Sequence, residues 1–337
     1  MRVELTKDRA VWAATLAEMG GHDFAHTYDF HLMAREAGEG EPGAFVARAD
    51  NGRALAFWPT LRRPIPGTHG FDLTSVYGYA GPLVGPGSDA GNALNAVLAE
   101  MRRQGAVAVF SRMHPLFMDR LPEGRRGTAL GDIVVIEVSD DPDVTKTYRG
   151  SHRREVVNAG KKGVEVHQEG GPQAVKAFHA IYHEAMKDLA ADQYYLFNLD
   201  YLKGMTEAAD FRTLLFFAEL ERRKIAASMF VITGDVMQYY LSGSLSEFRR
   251  HAPSKAIIAE AHRLAAGEGV KRIVLGGGLG SRQDALFEFK RGFSPITAPF
   301  HVTREILDPD RYAQLCRARG IDADQERYFP AYRAPRA

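Results

Sequence analysis

Two short stretches of this sequence concentrate side chains that recognise phosphate. Arg149, His152, Arg153 and Arg154 stand together with Lys161 and Lys162 close behind, and Arg249, Arg250 and His251 come just before Ser254, where a helix is expected to begin. Arg149 and Arg153 are one helical turn apart and would share a face. Such a face suits a nucleotide-linked acceptor, a coenzyme pyrophosphate or the end of a tRNA. A solvated charged helix face is the commoner origin of a run like this one. At the second cluster the helix N-terminus would add its own attraction for a donor's phosphate to that of Arg249, Arg250 and Ser254.

Tyrosines supply the next candidates. Tyr239 and Tyr240 adjoin on an expected strand, so alternation sends one phenol to each face and only one into a cleft. A tyrosine there could donate to a leaving oxygen or align an acceptor; an amphipathic core tyrosine is the alternative. In the glycine- and tyrosine-rich segment that follows Asp72, the side chains of Asp72, Ser75, Tyr77 and Tyr79 could line an acceptor pocket, or simply build a structured turn. Two other patterns carry less. Leu275-Gly-Gly-Gly-Leu-Gly-Ser lacks the Gly-Lys-Ser/Thr of a phosphate-binding loop, and His179 and His183 share a helix face without a third ligand. No metal is expected.

The elements that must position these residues fall into two sets. Helices are expected over 8–19 and 27–37, strands over 44–48 and 54–59 around the turn Asp50-Asn51-Gly52, a helix over 90–104 and a strand over 106–111. Beyond a turn at 140–143, helices over 144–161 and 171–190 precede a hairpin, 213–220 with 225–233. A strand at 236–243, a helix at 254–267 and a strand at 272–275 follow. The order repeats, which predicts an α/β (α+β) chain of two related units, each a mixed central sheet flanked by helices. A last strand, 300–305, and a helix, 308–319, could return to the first unit.

The bulk properties agree with a folded globular chain. The chain has 337 residues, 45% hydrophobic and 25% charged, long enough for two cores. Net charge is +1, so any polyanion must be held by a local cluster rather than by the field of the whole chain. A lone cysteine, Cys316, excludes an internal disulfide and is expected in packing. With no apolar run long enough for a signal peptide or a membrane span, a cytoplasmic location is expected.

Four stretches of the second half, Tyr148-Arg-Gly-Ser-His-Arg-Arg with Ala159-Gly-Lys-Lys-Gly-Val, Met237-Gln-Tyr-Tyr-Leu-Ser-Gly-Ser with Ala252-Pro253, Leu275-Gly-Gly-Gly, and Leu286-Phe-Glu-Phe-Lys-Arg-Gly-Phe, resemble the FemAB family and its polysaccharide-associated relatives. Asp72-Leu-Thr-Ser-Val-Tyr-Gly-Tyr-Ala-Gly-Pro-Leu resembles a segment of the same relatives. The resemblance implies two GNAT-like domains, the second inserted before the chain returns to finish the first: 1–139 plus 297–337, and 140–296. It also implies acyl transfer, for which a carbonyl must be positioned and its developing oxyanion stabilised. In that family the lysine of Phe-Lys-x-Gly-Phe supports the reacting carbonyl, which makes Lys290 the first catalytic candidate; a surface lysine is the alternative. Phe287, Phe289 and Phe293 alternate as they would on one side of a strand or bend, with Phe289 also a substrate-facing candidate. Lys290→Ala is expected to lower turnover far more than stability.

The superfamily that this resemblance implies includes users of acyl-CoA and users of aminoacyl-tRNA. CoA users of the GNAT type cradle pyrophosphate on a loop of the form Arg/Gln-x-x-Gly-x-Gly/Ala. Here the place reads Arg249-Arg-His-Ala-Pro-Ser-Lys-Ala, without the glycines and with Pro253 lacking an N–H. That departure favours aminoacyl-tRNA as donor, with acyl-CoA second, and an amine or hydroxyl of a cell-envelope precursor, sugar or small metabolite as acceptor. No cofactor beyond the donor is expected. A relative without catalysis that binds a glycan or RNA is the reading from another class.

Overall fold

The structure, a computed structural model, describes residues 1–335, the side chain of Tyr194 excepted. The chain's own contacts divide it into two compact units, Met1–Leu130 joined by the segment from Pro299 onward, and Gly131–Ala298. The junctions thus fall at 130/131 and 298/299, against the expected 139/140 and 296/297.

The first unit runs β1 (Arg2–Thr6), α1 (Arg9–Glu18), α2 (Tyr28–Glu36), β2 (Glu41–Arg48), β3 (Ala54–Pro64), β4 (Phe71–Thr74), β5 (Leu83–Val84), α3 (Ala90–Arg103) and β6 (Ala106–Arg112). The second contains most of β7 (Thr128–Glu137), then α4 (Gly150–Lys161), β8 (Glu165–Glu169), α5 (Gly171–Asp188), α6 (Leu199–Glu207), β9 (Arg212–Leu220) and β10 (Arg223–Thr233). It continues through β11 (Val236–Ser244), α7 (Pro253–Gly267), β12 (Arg272–Gly276) and α8 (Ala285–Arg291). The chain then completes the first unit with β13 (Thr297–Ile306) and α9 (Pro309–Ala318).

Strand order in the first unit is β1-β2-β3-β4-β6-β13, with β5 beside β3. All neighbours are antiparallel except β4 and β6, the pair that α3 connects. Alternation along β3 explains the two layers. Ala56 and Trp58 turn to the stripe Ala93, Leu94, Val97, Leu98 and Met101 of α3, whereas Phe57 between them turns to Trp12 and Leu16 of α1.

In the second unit the order is β7-β12-β11-β10-β9-β8, again antiparallel except for one pair, β11 and β12, bridged by α7. Leu214, Phe216 and Ala218 of β9 and Phe230 and Ile232 of β10 pack on Ile257, Ile258, Ala261 and Ala265 of α7 and on Ala159 of α4. Burial of each large side chain is worth about 1.5–3 kcal/mol. The intervening residues face α5, which buries Ala174, Val175 and Phe178. Each unit is therefore a mixed sheet between helices, with one parallel pair closed by a helical crossover.

Several elements differ from the sequence reading. β1 and β8 lie at sheet edges as short strands whose polar content hides their alternation. The helix expected over 144–161 is broken. A 3-10 turn, Val144–Thr147, precedes extended Tyr148 and Arg149, and α4 begins only at Gly150. Residues 285–291, expected as a strand or bend, are helical because the Asp284 carboxylate caps them, accepting from Phe287 N at 3.0 Å. Among the described residues no helix is long and apolar enough to cross a membrane.

Candidate functional site

The parallel ladder between β11 and β12 pairs Val236 with Arg272, Met237 with Ile273 and Gln238 with Val274, and ends there. Beyond it β11 continues to Ser244, leaving an opening on the side β12 has left. A cavity of about 540 Å³ lies at this opening. Tyr239 and Ser242–Ser244 of β11 line it, with α4, the end of α5, the segment from Arg249 into the first turn of α7, and Leu286 and Phe289 of α8.

The strand is irregular at this point. Phe230 of β10 pairs with Tyr239 and its neighbour Met229 with Leu241, so Tyr240 is an extra residue, a β-bulge. Strict alternation, the basis of the sequence argument, fails there. Tyr239 lines the cavity, and its hydroxyl donates to Ser242 Oγ at 2.5 Å. Burial pushes the Tyr239 phenol above its ordinary range. Tyr240 is not on the cavity wall: its hydroxyl meets that of Tyr201 of α6 at 2.5 Å.

The N-terminus of α7 opens on the same cavity. Its N-cap, Ala252, takes the left-handed conformation, φ +52°, and offers no capping side chain. The missing glycines therefore did not prevent a left-handed loop. Backbone donors remain few, however: Ala252 N is used by Arg249 O, Lys255 N by Ala252 O, and Pro253 has none. Side chains supply the positive charge instead. Arg249, Arg250 and Lys162 line the cavity, and none of the three has a carboxylate partner among the described residues. Lys255, in the first turn, is ion-paired with Glu155 of α4 and lies 3.4 Å from His152 Nδ1.

Two polar atoms on this wall, Ser244 Oγ and His251 Nδ1, are buried without a hydrogen-bond partner. Arg250 Nε donates to His251 Nε2 at 3.3 Å, so Nδ1 is the protonated nitrogen. Leaving a donor of this kind unpaired costs about 1–3 kcal/mol, a cost that a ligand offering an acceptor would remove.

Lys290 is neither a surface lysine nor a lining residue. Its side chain is 9% exposed, and Nζ donates to Gly277 O at 2.6 Å. Burial lowers its pKa to about 8, against the opposing charge of Asp284. The triple glycine after Leu275 builds this corner: a Cβ on Gly278 would lie 2.2 Å from Asp284 Oδ1. The glycine of Phe-Lys-x-Gly-Phe has a similar reason, since a Cβ on Gly292 would lie 2.1 Å from His152 Nε2. His152 is thus no part of a basic surface. It is 6% exposed, donates from Nε2 to Phe289 O at 2.9 Å, and is held below its ordinary pKa by burial and by the Lys255 charge. It fixes α8, and with it Phe289 and Lys290. The contact joins residues 140 positions apart, and nothing in the sequence reading pointed to it.

Other expected site residues lie elsewhere. Arg149 sits just outside α4 and pairs with Glu288 at 3.1 Å, while Arg153 pairs with Asp143 at 2.9 Å. They share no phosphate-binding face and do not line the cavity, because the helix starts after Arg149. Asp72 is fully buried in the first unit. It accepts from Arg63 Nε at 2.8 Å, from the Tyr332 hydroxyl at 3.0 Å and from Arg333, so it ties the C-terminal segment to β4 and offers nothing to an acceptor. Ser75 accepts from Arg112 N at 3.2 Å and is buried. Tyr79 packs edge-on against His114 and Phe300, and burial raises its phenol. Tyr77 is half-buried in the same loop. Of the described residues lining the 540 Å³ cavity, none belongs to this first-unit group. His179 and His183 have ring centroids 4.0 Å apart, and His183 Nε2 donates to Phe197 O at 2.7 Å, a packing role.

Residues 146–291 match the acetyltransferase (GNAT) domain family. Compared by sequence with characterised proteins, the chain has no match. By structure it is similar to FemX, with a TM-score of 0.68 and 13% identity over 93% of this chain and 99% of that one. The C-terminal domain of a putative lysylphosphatidylglycerol synthetase from Agrobacterium fabrum aligns with a TM-score of 0.53 and 14% identity, covering 88% of this chain and 92% of that one. A tandem GNAT protein from the clavulanic acid biosynthesis pathway aligns with a TM-score of 0.50 and 11% identity, over 91% and 99%. At these identities the likeness is one of fold. Residues 146–291 thus match the model of a GNAT-type acetyltransferase domain, in a chain that shares the fold of FemX and of a tandem GNAT protein.

Proposed function

We propose that the second unit is an acyltransferase whose donor is aminoacyl-tRNA and whose acceptor is an amine or hydroxyl of a cell-envelope precursor, sugar or small metabolite. The observation that carries this is the cavity beside an uncapped helix N-terminus, ringed by Arg249, Arg250 and Lys162 without carboxylate partners. A phosphodiester of the donor would rest on those cations and on Ser254, with the acyl carbonyl toward α8. Lys290 has two N–H groups beyond the one on Gly277; it stands off the cavity wall, next in sequence to Phe289, so these would meet a developing oxyanion only where the acyl end passes beyond that wall. Tyr239 would align the acceptor or protonate the leaving oxygen.

The scarcity of free backbone N–H groups favours side-chain recognition of a single phosphodiester over a cradled pyrophosphate. The left-handed backbone at Ala252 favours the second reading, acyl-CoA held by its pyrophosphate at the same place. Purified protein offered labelled aminoacyl-tRNAs and a panel of acyl-CoAs, with common amine acceptors, separates the two. Label leaving RNA while thioesters persist supports the first reading, and thioester consumption supports the second. Arg249→Ala with Arg250→Ala should raise donor KM at least tenfold in either case, and an unchanged KM would remove the phosphate site from this helix.

A further inference from the structure

Resting on that reading, we infer that the transferred group carries an apolar, uncharged chain of several carbons, selected by Met186, Leu189, Leu286 and Phe289. The cavity is divided in its chemistry. Its cations all come from the end of α4 and from the segment between Arg249 and Lys255, whereas α5 and α8 contribute only apolar side chains. A donor anchored by phosphate on the first side presents its acyl end to the second.

Leu189 is 58% exposed and Leu286 38% exposed, although both line the cavity. A single exposed leucine is ordinary. Two leucines from separate helices, lining one cavity together with Met186 and Phe289, form a surface that an apolar chain would cover. An acetyl group would leave most of the apolar surface of Met186, Leu189, Leu286 and Phe289 uncovered. A cationic chain is disfavoured for another reason: among the described residues Glu155 is the sole carboxylate on the wall, and Lys255 already neutralises it. The lysyl group in the name of one fold neighbour therefore has no counter-charge waiting here.

The test separates binding from turnover. Titration calorimetry of the whole protein with octanoate, acetate and 6-aminohexanoate compares three carboxylates that differ only in the chain. Octanoate should bind at least tenfold tighter than the other two, given about fourfold per buried methylene. Leu189→Asp and Leu286→Asp, at exposed positions, should each weaken octanoate about tenfold with an unchanged melting temperature. Equal binding of the three probes, no octanoate binding, or indifference to both substitutions would overturn the inference. A transfer assay with leucyl, lysyl, acetyl and octanoyl donors completes it. Preference for lysyl or acetyl defeats the inference while leaving acyl transfer standing. Octanoate binding as expected, with no transfer from any donor, defeats the acyltransferase reading and leaves the apolar site.

Discussion

Burial lowers the pKa of Lys290 to about 8 from 10.5, so its ammonium is lost over a range in which most lysines keep theirs. If that ammonium supports the oxyanion, kcat should fall as pH rises through about 8, and Lys290→Met should lower kcat by at least a hundredfold and abolish that limb. The effect on stability has the opposite direction. Between about 8 and 10.5 the unfolded chain binds more protons at this site than the folded one, so stability rises with pH across that window. The cost of the buried charge is fully present below it. Lys290→Met, which keeps the volume, should therefore leave stability at pH 7 unreduced and flatten its rise above pH 8, as denaturant unfolding would show. Lys290→Ala is the poorer probe. The sequence suggested a lysine with little part in packing, but alanine would open a void that methionine fills, so both activity and stability would suffer.

At the scale of elements, the site depends on how α7 and α8 are set beside β11. Ala252 bears a left-handed backbone that an L-residue adopts only at some cost, so Ala252→Gly should raise the unfolding free energy by up to about 1 kcal/mol while leaving donor KM in place. A large rise in KM would mean that the methyl group itself touches the donor. Gly292→Ala should do the reverse. Its methyl would meet the His152 ring, displacing α8 and the His152 bond to Phe289, at a cost of about 3 kcal/mol measured by denaturant unfolding, and with a lower kcat because Lys290 moves too. Much of the helix–strand order was legible in periodicity and caps, as in the α3 stripe and the Asp50–Gly52 turn, whereas β1, β4, β7, β8 and α6 were not expected from the sequence. The start of α4 and the identity of α8 were not, because extended Tyr148 and the Asp284 cap depend on contacts outside the pattern.

For the chain as a whole, the first unit is discontinuous in sequence, and Asp72 helps to close it. A buried carboxylate that receives Arg63, Arg333 and Tyr332 fixes residues more than two hundred positions apart. Asp72→Asn should cost about 3–5 kcal/mol, since removing one partner of a buried ionic cluster leaves the others unpaired. Limited proteolysis should then cut the C-terminal segment first. Unchanged resistance and unchanged stability would show that the segment is held by Tyr312 and its aromatic neighbours alone.

Taken by itself, the sequence determined what local forces determine: much of the order of elements, the apolar faces of the helices and strands, and the position of the helix that begins near Ser254. Only the tertiary structure decided which polar residues share a site. It set Arg249, Arg250 and Ser254 with Tyr239 and Phe289 around one cavity, and spent Asp72, Arg149 and Arg153 on ion pairs. Whether a charged side chain meets a partner or stays open to a ligand depends on residues distant in the chain, and periodicity, a local quantity, does not contain that information.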